Sequence, residues 1–149
     1  MHSFRRCLIS TVATLVFTLA TADGASAQWT FWSPGTPCSS GDTIRLDGIG
    51  PMSSPSTNTL IGIDGPPGDT CFLLIGFTSL RTPFFGGILG PSPDIVLPAT
   101  FDSFGEWTLP FVWPAAVPAG TMLWYQIWCP DSALSPPWCS SNTLKSTST

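Results

Sequence analysis

Hydrophobic positions in this chain form short apolar or alternating stretches, and proline or glycine interrupts them every few residues. Between Gln28 and the C-terminal tail, no stretch free of both breakers exceeds nine residues. A helix needs about ten or more such residues, whereas strands are usually shorter. We therefore predict an all-β, single antiparallel β-sandwich of the immunoglobulin-like or Greek-key type, with about seven or eight short strands. The stretches are Asp42–Asp47, Ser56–Ile61, Asp69–Ile75, Phe77–Thr82, Ala99–Phe104 and Thr121–Cys129.

Three features place individual strands within this sandwich. Every second residue from Trp107 to Trp113 is large and apolar, which predicts one buried face. Pro110 interrupts that strand and cannot donate a ladder hydrogen bond, so the strand should lie at a sheet edge or contain a bulge. The continuous run Cys71–Ile75 indicates a central, buried strand. Gln126, among apolar neighbours, should be a buried amide bonded to the backbone.

The first 27 residues have the organisation of a secretory signal peptide. Arg5 and Arg6 precede the apolar run Cys7–Ala22, and Ala25-Ser26-Ala27 forms a small-residue cleavage site. The arginine pair is compatible with ordinary secretion and, more loosely, with twin-arginine export. We expect residues 28–149 to form one exported domain that is periplasmic, cell-surface or extracellular. We expect no membrane insertion after cleavage.

The composition of residues 28–149 excludes several functions. Three basic and eight acidic residues leave no basic patch, so we expect no nucleic-acid partner. The only histidine, His2, lies in the predicted leader, which removes Ser-His-Asp and Cys-His catalysis. Asp102 and Glu106 are the one tempting carboxylate pair, but Asp102–Gly105 is typical of a hairpin turn. We therefore expect no catalytic residues and no enzyme activity.

Four cysteines remain after the leader: Cys38, Cys71, Cys129 and Cys139. An even number in an exported chain predicts two disulfides, while the absence of CxxC spacing and of histidine argues against zinc. Prolines between Cys129 and Cys139 favour a local Cys129–Cys139 bridge, which would leave Cys38–Cys71. The spacing alone leaves the two other pairings open.

The order of short motifs along the chain resembles a β-sandwich module found in exported proteins of environmental bacteria with large genomes, often near their C-termini. The resemblance implies a sandwich fold and an exported location, and it implies no activity. Trp124 departs from the module's usual tyrosine and Thr143 from its usual glycine. The matching positions are Gly35–Gly41, Gly65–Gly68, Gly76-Phe77-Thr78, Pro93-Asp94, Gly105, Pro114, Gly120, Leu123, Trp124, Gln126 and Ser141–Leu144.

Two functions fit these observations. The first is a non-catalytic exported module with a structural or adhesive role at the cell envelope or outside the cell. The second is a carbohydrate-binding module that uses exposed tryptophans, with Trp128, Trp138 and Trp32 as candidate ligand-binding residues. Polysaccharide or another envelope component would then be the partner. Strand tryptophans (Trp107, Trp113, Trp124 and Trp128) should pack in the core by default, while Trp29, Trp32 and Trp138 are the best candidates for exposure.

The only candidate metal ligands in the sequence are aspartates near predicted loops. Calcium prefers clustered oxygen ligands, and four aspartates lie in or beside loops, but no DxDxDG loop is present. We therefore predict no cofactor and no metal site, with calcium as the one alternative. The four residues are Asp42, Asp47, Asp64 and Asp69.

Overall fold

The computed structural model describes residues 28–53 and 55–149, and the predicted signal peptide lies outside this part of the chain. The described residues form eleven β-strands in antiparallel sheets, so the all-β sandwich class is confirmed. The strands are β1 (Trp29–Ser33), β2 (Arg45–Ile49), β3 (Ser56–Ile63), β4 (Thr70–Gly76), β5 (Ser79–Phe84), β6 (Gly87–Pro91), β7 (Ile95–Thr100), β8 (Trp107–Trp113), β9 (Met122–Pro130), β10 (Trp138–Ser140) and β11 (Thr143–Thr147).

The large sheet has the strand order β1-β11-β9-β4-β7, and β10 also pairs with β9. Strand β11 pairs with Met122–Tyr125 and β10 with Trp128–Pro130, so both share one edge of β9. Strand β4 lies between β7 and β9. The prediction of a central strand at Cys71–Ile75 is therefore confirmed.

The small sheet has the order β2-β3-β8. Strand β8 lies at its edge, as Pro110 predicted, because a residue without an N–H is tolerated where that position faces away from the partner strand. The alternation in β8 is also confirmed: Trp107, Leu109, Phe111 and Trp113 are more buried than the residues between them.

The main core lies between the two sheets. Ile44, Leu46 and Leu60 contribute from the small-sheet side. The large sheet contributes the inward-facing residues of β4 and β9, which alternate with outward-facing ones at the strand period of two. These inward-facing residues are Cys71, Leu73, Tyr125, Ile127 and Cys129.

A two-stranded hairpin, β5–β6, covers the outer face of the large sheet and forms a third layer. Gln126 fastens it: its Oε1 accepts a hydrogen bond from Gly90 N at 2.9 Å, and its Nε2 donates to Ile88 O at 3.0 Å. Nε2 also lies 3.2 Å from Ser141 O, so the amide joins three segments. The prediction of a buried, backbone-bonded Gln126 is confirmed.

The expected seven or eight strands were too few for the described residues. Several strands contain the residues that we treated as breakers. Strand β6 runs from Gly87 to Pro91, and β7 contains Pro98. Glycine and proline end helices reliably, but edge strands and hairpins accommodate them, so breaker spacing undercounts strands.

The predicted disulfide pairing is wrong: the bonds are Cys38–Cys139 and Cys71–Cys129, not Cys129–Cys139 and Cys38–Cys71. Cys139 lies directly opposite Cys129 in the β10/β9 register. The β4/β9 register also places Cys71 beside Cys129, with Phe72 opposite Trp128. Cys129 therefore has a cysteine on each side and bonds the one on β4, which leaves Cys139 for Cys38.

Both disulfides are buried and tie distant parts of the chain together. Their Cα atoms are 4.9 Å apart for Cys38–Cys139 and 4.3 Å apart for Cys71–Cys129. Two such bonds are typical of a protein that folds in an oxidising compartment. In residues 28–53 and 55–149, no helix has the length and apolar character to cross a membrane.

Candidate functional site

The three candidate ligand-binding tryptophans do not share one exposed face. Trp128 is only 2% exposed, because the β5–β6 hairpin covers it. It packs in a buried cluster with Leu74 of β4 and Leu89 of β6. Trp138 is half-buried and lies nearly parallel to Phe85, with ring centroids 5.6 Å apart. Trp32 is also half-buried, and its Nε1 donates to Ser79 Oγ at 3.2 Å.

The remaining tryptophans mostly serve packing. Trp113 and Trp124 are buried, as we predicted for strand tryptophans, while Trp107 is half-buried against the core. Trp29 is less exposed than we expected. It packs on Tyr125, and its Nε1 donates to Gly50 O at 3.0 Å.

The structure instead reveals an apolar surface at the turn end of the β5–β6 hairpin, which we call the aromatic patch. It brings together residues from β4, β5, β7, β9 and β10 and from the hairpin turn. Trp128 forms its floor, and Phe72, Phe84, Phe85 and Val96 are exposed at its surface. The patch comprises Phe72, Leu74, Phe84, Phe85, Val96, Trp128 and Trp138.

Ring contacts hold the aromatic patch in one arrangement. Phe84 packs edge-on against Trp128 with centroids 5.2 Å apart, and it also contacts Phe85 at 4.3 Å. Phe72 lies 6.3 Å from Trp138. Edge-to-face and offset-stacked pairs at these separations each contribute about 0.5–1.5 kcal/mol beyond burial. The patch is therefore a packed surface rather than a set of separate side chains.

Phe85 occupies an unusual backbone position. Phe84 pairs with Gly87, so Phe85 and Gly86 form a two-residue turn in which both have positive φ, 39° and 81°. Turns of this type favour Asn-Gly, and a left-handed conformation costs a residue with a side chain roughly 1–2 kcal/mol. A phenylalanine is held there although the residue remains 45% exposed. Such strain at an exposed side chain is typical of functional positions.

Sequence reasoning missed most of this patch. Sequence reasoning gave no role to Phe84 or Phe85, although two phenylalanines directly before the turn signal Gly86-Gly87 indicate exposed aromatic rings. No local signal could have placed Phe72 or Val96 there, because alternation identifies two faces of a strand but not what covers each face.

All three basic residues of the described chain have partners elsewhere. Arg45 pairs with Asp47 at 3.2 Å on the surface. Arg81 and Lys145 lie over the ring of Trp32, at 5.6 and 5.5 Å from its centroid. The aromatic patch has no charged side chain in its lining.

Three carboxylates of the described residues accept hydrogen bonds from loop backbone groups. Asp102 Oδ1 accepts hydrogen bonds from Phe104 N at 2.8 Å and Glu106 N at 2.9 Å, which supports the hairpin-turn interpretation of Asp102–Gly105. Hydrogen bonds from Ser92 and from Phe77 N lower the pKa of Asp94. Bonds from Ser39 likewise lower the pKa of Asp131.

Two of the aspartates considered as calcium ligands, Asp42 and Asp64, line one pocket of about 330 Å³ together with Asp131. In the part of the chain that the structure describes, they do not form a cluster of three or more close ligand atoms. The one group of potential metal ligands found there is Cys38, Asp131 and Cys139, within 4.8 Å of one another. The two sulfur atoms of that group bond to each other. This group has one carboxylate, whereas calcium prefers six to eight oxygen ligands.

Comparison with protein-family models, curated proteins and solved structures found no match. Functional inference therefore depends on the geometry of the described residues.

Proposed function

We propose that the protein is a non-catalytic exported module with a structural or adhesive role at the cell envelope or outside the cell, and that the aromatic patch is its contact surface. The observation that carries this proposal is the exposure of Phe72, Phe84, Phe85 and Val96 on one surface. Apolar side chains exposed together usually mark interaction sites.

The chemistry of the patch favours an apolar partner surface over a sugar. Carbohydrate sites combine aromatic rings with polar groups that fix the ligand's orientation. All seven side chains that line this patch are apolar apart from two indole nitrogens. One face of Trp138 also lies against Phe85 and is not free to stack on a sugar ring.

The strained turn adds independent support. Asparagine at position 85 would suit the backbone better than phenylalanine does. Phe85 closes the patch by contacting both Phe84 and Trp138. These ring contacts thus offset the free-energy cost of the left-handed backbone conformation, as expected if the exposed Phe85 ring contacts a partner.

The first prediction compares two turn phenylalanines. Phe85→Asn should lower adhesion of protein-coated beads to an octyl-coated surface by at least several-fold, because it removes the centre of the patch. Its free energy of unfolding should change by no more than about 1 kcal/mol, because relief of turn strain offsets the lost ring contact. Detachment under flow and urea unfolding measure the two effects.

Phe104→Asn is the matched control. Phe104 is 85% exposed in a turn and lies outside the patch, so adhesion should remain close to that of the unmodified protein. Equal losses from both variants would mean that any exposed phenyl ring suffices, which contradicts the proposal. A saturable tryptophan-fluorescence response to a soluble polysaccharide, lost in Trp138→Ala, would instead establish carbohydrate binding.

A further inference from the structure

The two open sides of the sandwich are constructed differently. On the side of β1 and β2, Asn142 bridges the sheets: Leu46 N donates to its Oδ1 at 2.7 Å, and its Nδ2 donates to Leu46 O at 2.9 Å. Trp29 also spans this side through its bond to Gly50 O. Side-chain hydrogen bonds therefore bridge this side, where a smaller cleft of about 200 Å³ remains beside Trp29 and Asn142.

On the opposite side, between β7 and β8, the structure contains a cleft of about 360 Å³ that we call the edge cleft. It opens into the core between the sheets. Ligand sites usually measure about 300–1,000 Å³ and are mostly apolar. The residues lining the edge cleft are Leu60, Ile75, Ile95, Leu97, Leu109, Phe111, Val112, Trp113, Pro114, Leu123 and Tyr125.

The lining is almost wholly hydrocarbon. The Tyr125 hydroxyl lies 3.1 Å from Ser146 Oγ and is already hydrogen-bonded. No charged side chain lines the cleft. The three basic residues of the described chain are held at Asp47 and Trp32, so the cleft offers no cation to a carboxylate or phosphate. By charge complementarity, the cleft fits an uncharged ligand.

Proline in each flanking strand disfavours addition of a peptide strand. Pro98 of β7 lies opposite Phe72 of β4, and Pro110 of β8 lies opposite Thr59 of β3. A proline fits opposite a partner strand only where its nitrogen faces away from that strand. Both free edges therefore lack a donor where an added strand would need one, a common device against strand pairing.

From these observations we infer that the edge cleft binds a small, uncharged, apolar molecule. The ligand enters between β7 and β8 and contacts Ile95 and Leu97 on one side and Leu109 and Phe111 on the other. This site is separate from the aromatic patch, because alternate residues of β7 face the two sites: Leu97 lines the cleft and Val96 lines the patch.

The second prediction uses this alternation. The neutral dye N-phenyl-1-naphthylamine should bind the oxidised protein saturably, and 1-decanol should displace it. Leu97→Asp should weaken dye binding at least tenfold. Binding of the dye would strip hydrating water from the carboxylate in an apolar cleft, which has a high free-energy cost. Val96→Asp, the matched control on the adjacent residue, should leave dye affinity within about twofold.

Each other outcome would overturn the inference. Loss of binding in Val96→Asp but not in Leu97→Asp would assign the dye to the aromatic patch. Displacement by decanoate at pH 8 as effective as that by decanol would contradict an uncharged ligand. Absence of saturable dye binding, or a dimer in sedimentation that Leu97→Asp dissociates, would show that the cleft has no small-molecule ligand. None of these outcomes concerns adhesion of the unmodified protein through the aromatic patch, which Phe85→Asn tests separately.

Discussion

Tyr125 shows how one residue can belong both to the core and to a cleft. Burial raises the pKa of its phenol to about 12 from 10.0, although the hydrogen bond with Ser146 acts in the opposite direction. The folded protein therefore favours the neutral phenol. This contribution to stability is complete below pH 10 and is lost as the pH rises towards 12.

The third prediction follows from that linkage. Between pH 9 and pH 12, the unmodified protein should lose about 2–3 kcal/mol of unfolding free energy through this residue. The Tyr125→Phe side chain cannot ionise, so the stability of this variant should fall less over this range. Its free energy of unfolding at pH 9 should be about 1 kcal/mol lower than that of the unmodified protein, because the hydroxyl hydrogen bond is lost. Urea unfolding at each pH measures the difference, and parallel curves for the two proteins would refute the assignment.

Asp94 and Asp131 act in the opposite pH direction. Because hydrogen bonds lower the pKa of each carboxyl group below the ordinary 3.8, the ionised forms stabilise their loops. That contribution is present above pH 4 and is lost as the pH falls through the lowered values. Asp94 is exposed and Asp131 is half-buried at the surface, so solvent keeps their individual effects small.

Among the secondary-structure elements, the β5–β6 hairpin contributes most to the aromatic patch. It covers Trp128, positions Phe84 and Phe85, and is bonded to the sheet through Gln126. The Trp32 indole adds a second attachment through Ser79 at the other end of the hairpin. A change that releases the hairpin should therefore expose buried tryptophans and dismantle the aromatic patch.

The fourth prediction tests that attachment. Gln126→Leu keeps side-chain volume but leaves Gly90 N–H and two carbonyls without this partner, at a cost of about 2–4 kcal/mol. Tryptophan emission should shift to longer wavelength and become more sensitive to acrylamide. Gln28→Leu is the control, since the Gln28 amide bonds Thr149 and Met52 rather than the hairpin. An unchanged emission spectrum in Gln126→Leu would show that the hairpin stays docked without the amide.

At the scale of the whole molecule, two nested disulfides link segments that are distant in sequence. Cys38–Cys139 joins residues 101 positions apart, and Cys71–Cys129 joins residues 58 positions apart. Long loops of this kind restrict the unfolded chain most, by about 4–5 kcal/mol for a single bond. The bonds also connect the loop before β2 with β10, and β4 with β9.

The fifth prediction concerns connectivity. Peptic digestion of the unreduced protein followed by mass spectrometry should yield Cys38–Cys139 and Cys71–Cys129 peptides. The double variant Cys38→Ser/Cys139→Ser should lose several kcal/mol of unfolding free energy and retain the second bond. A Cys129–Cys139 peptide would contradict the observed pairing.

The sequence by itself determined the all-β class, the central position of Cys71–Ile75, the edge position of the Pro110 strand and the buried role of Gln126. These follow from local periodicity and backbone chemistry, which act within a few residues. Tertiary structure alone decided the disulfide partners, the docking of the β5–β6 hairpin, the aromatic patch and the edge cleft. Each of these depends on which distant strands become neighbours, and alternation within one strand carries no information about its neighbour in space.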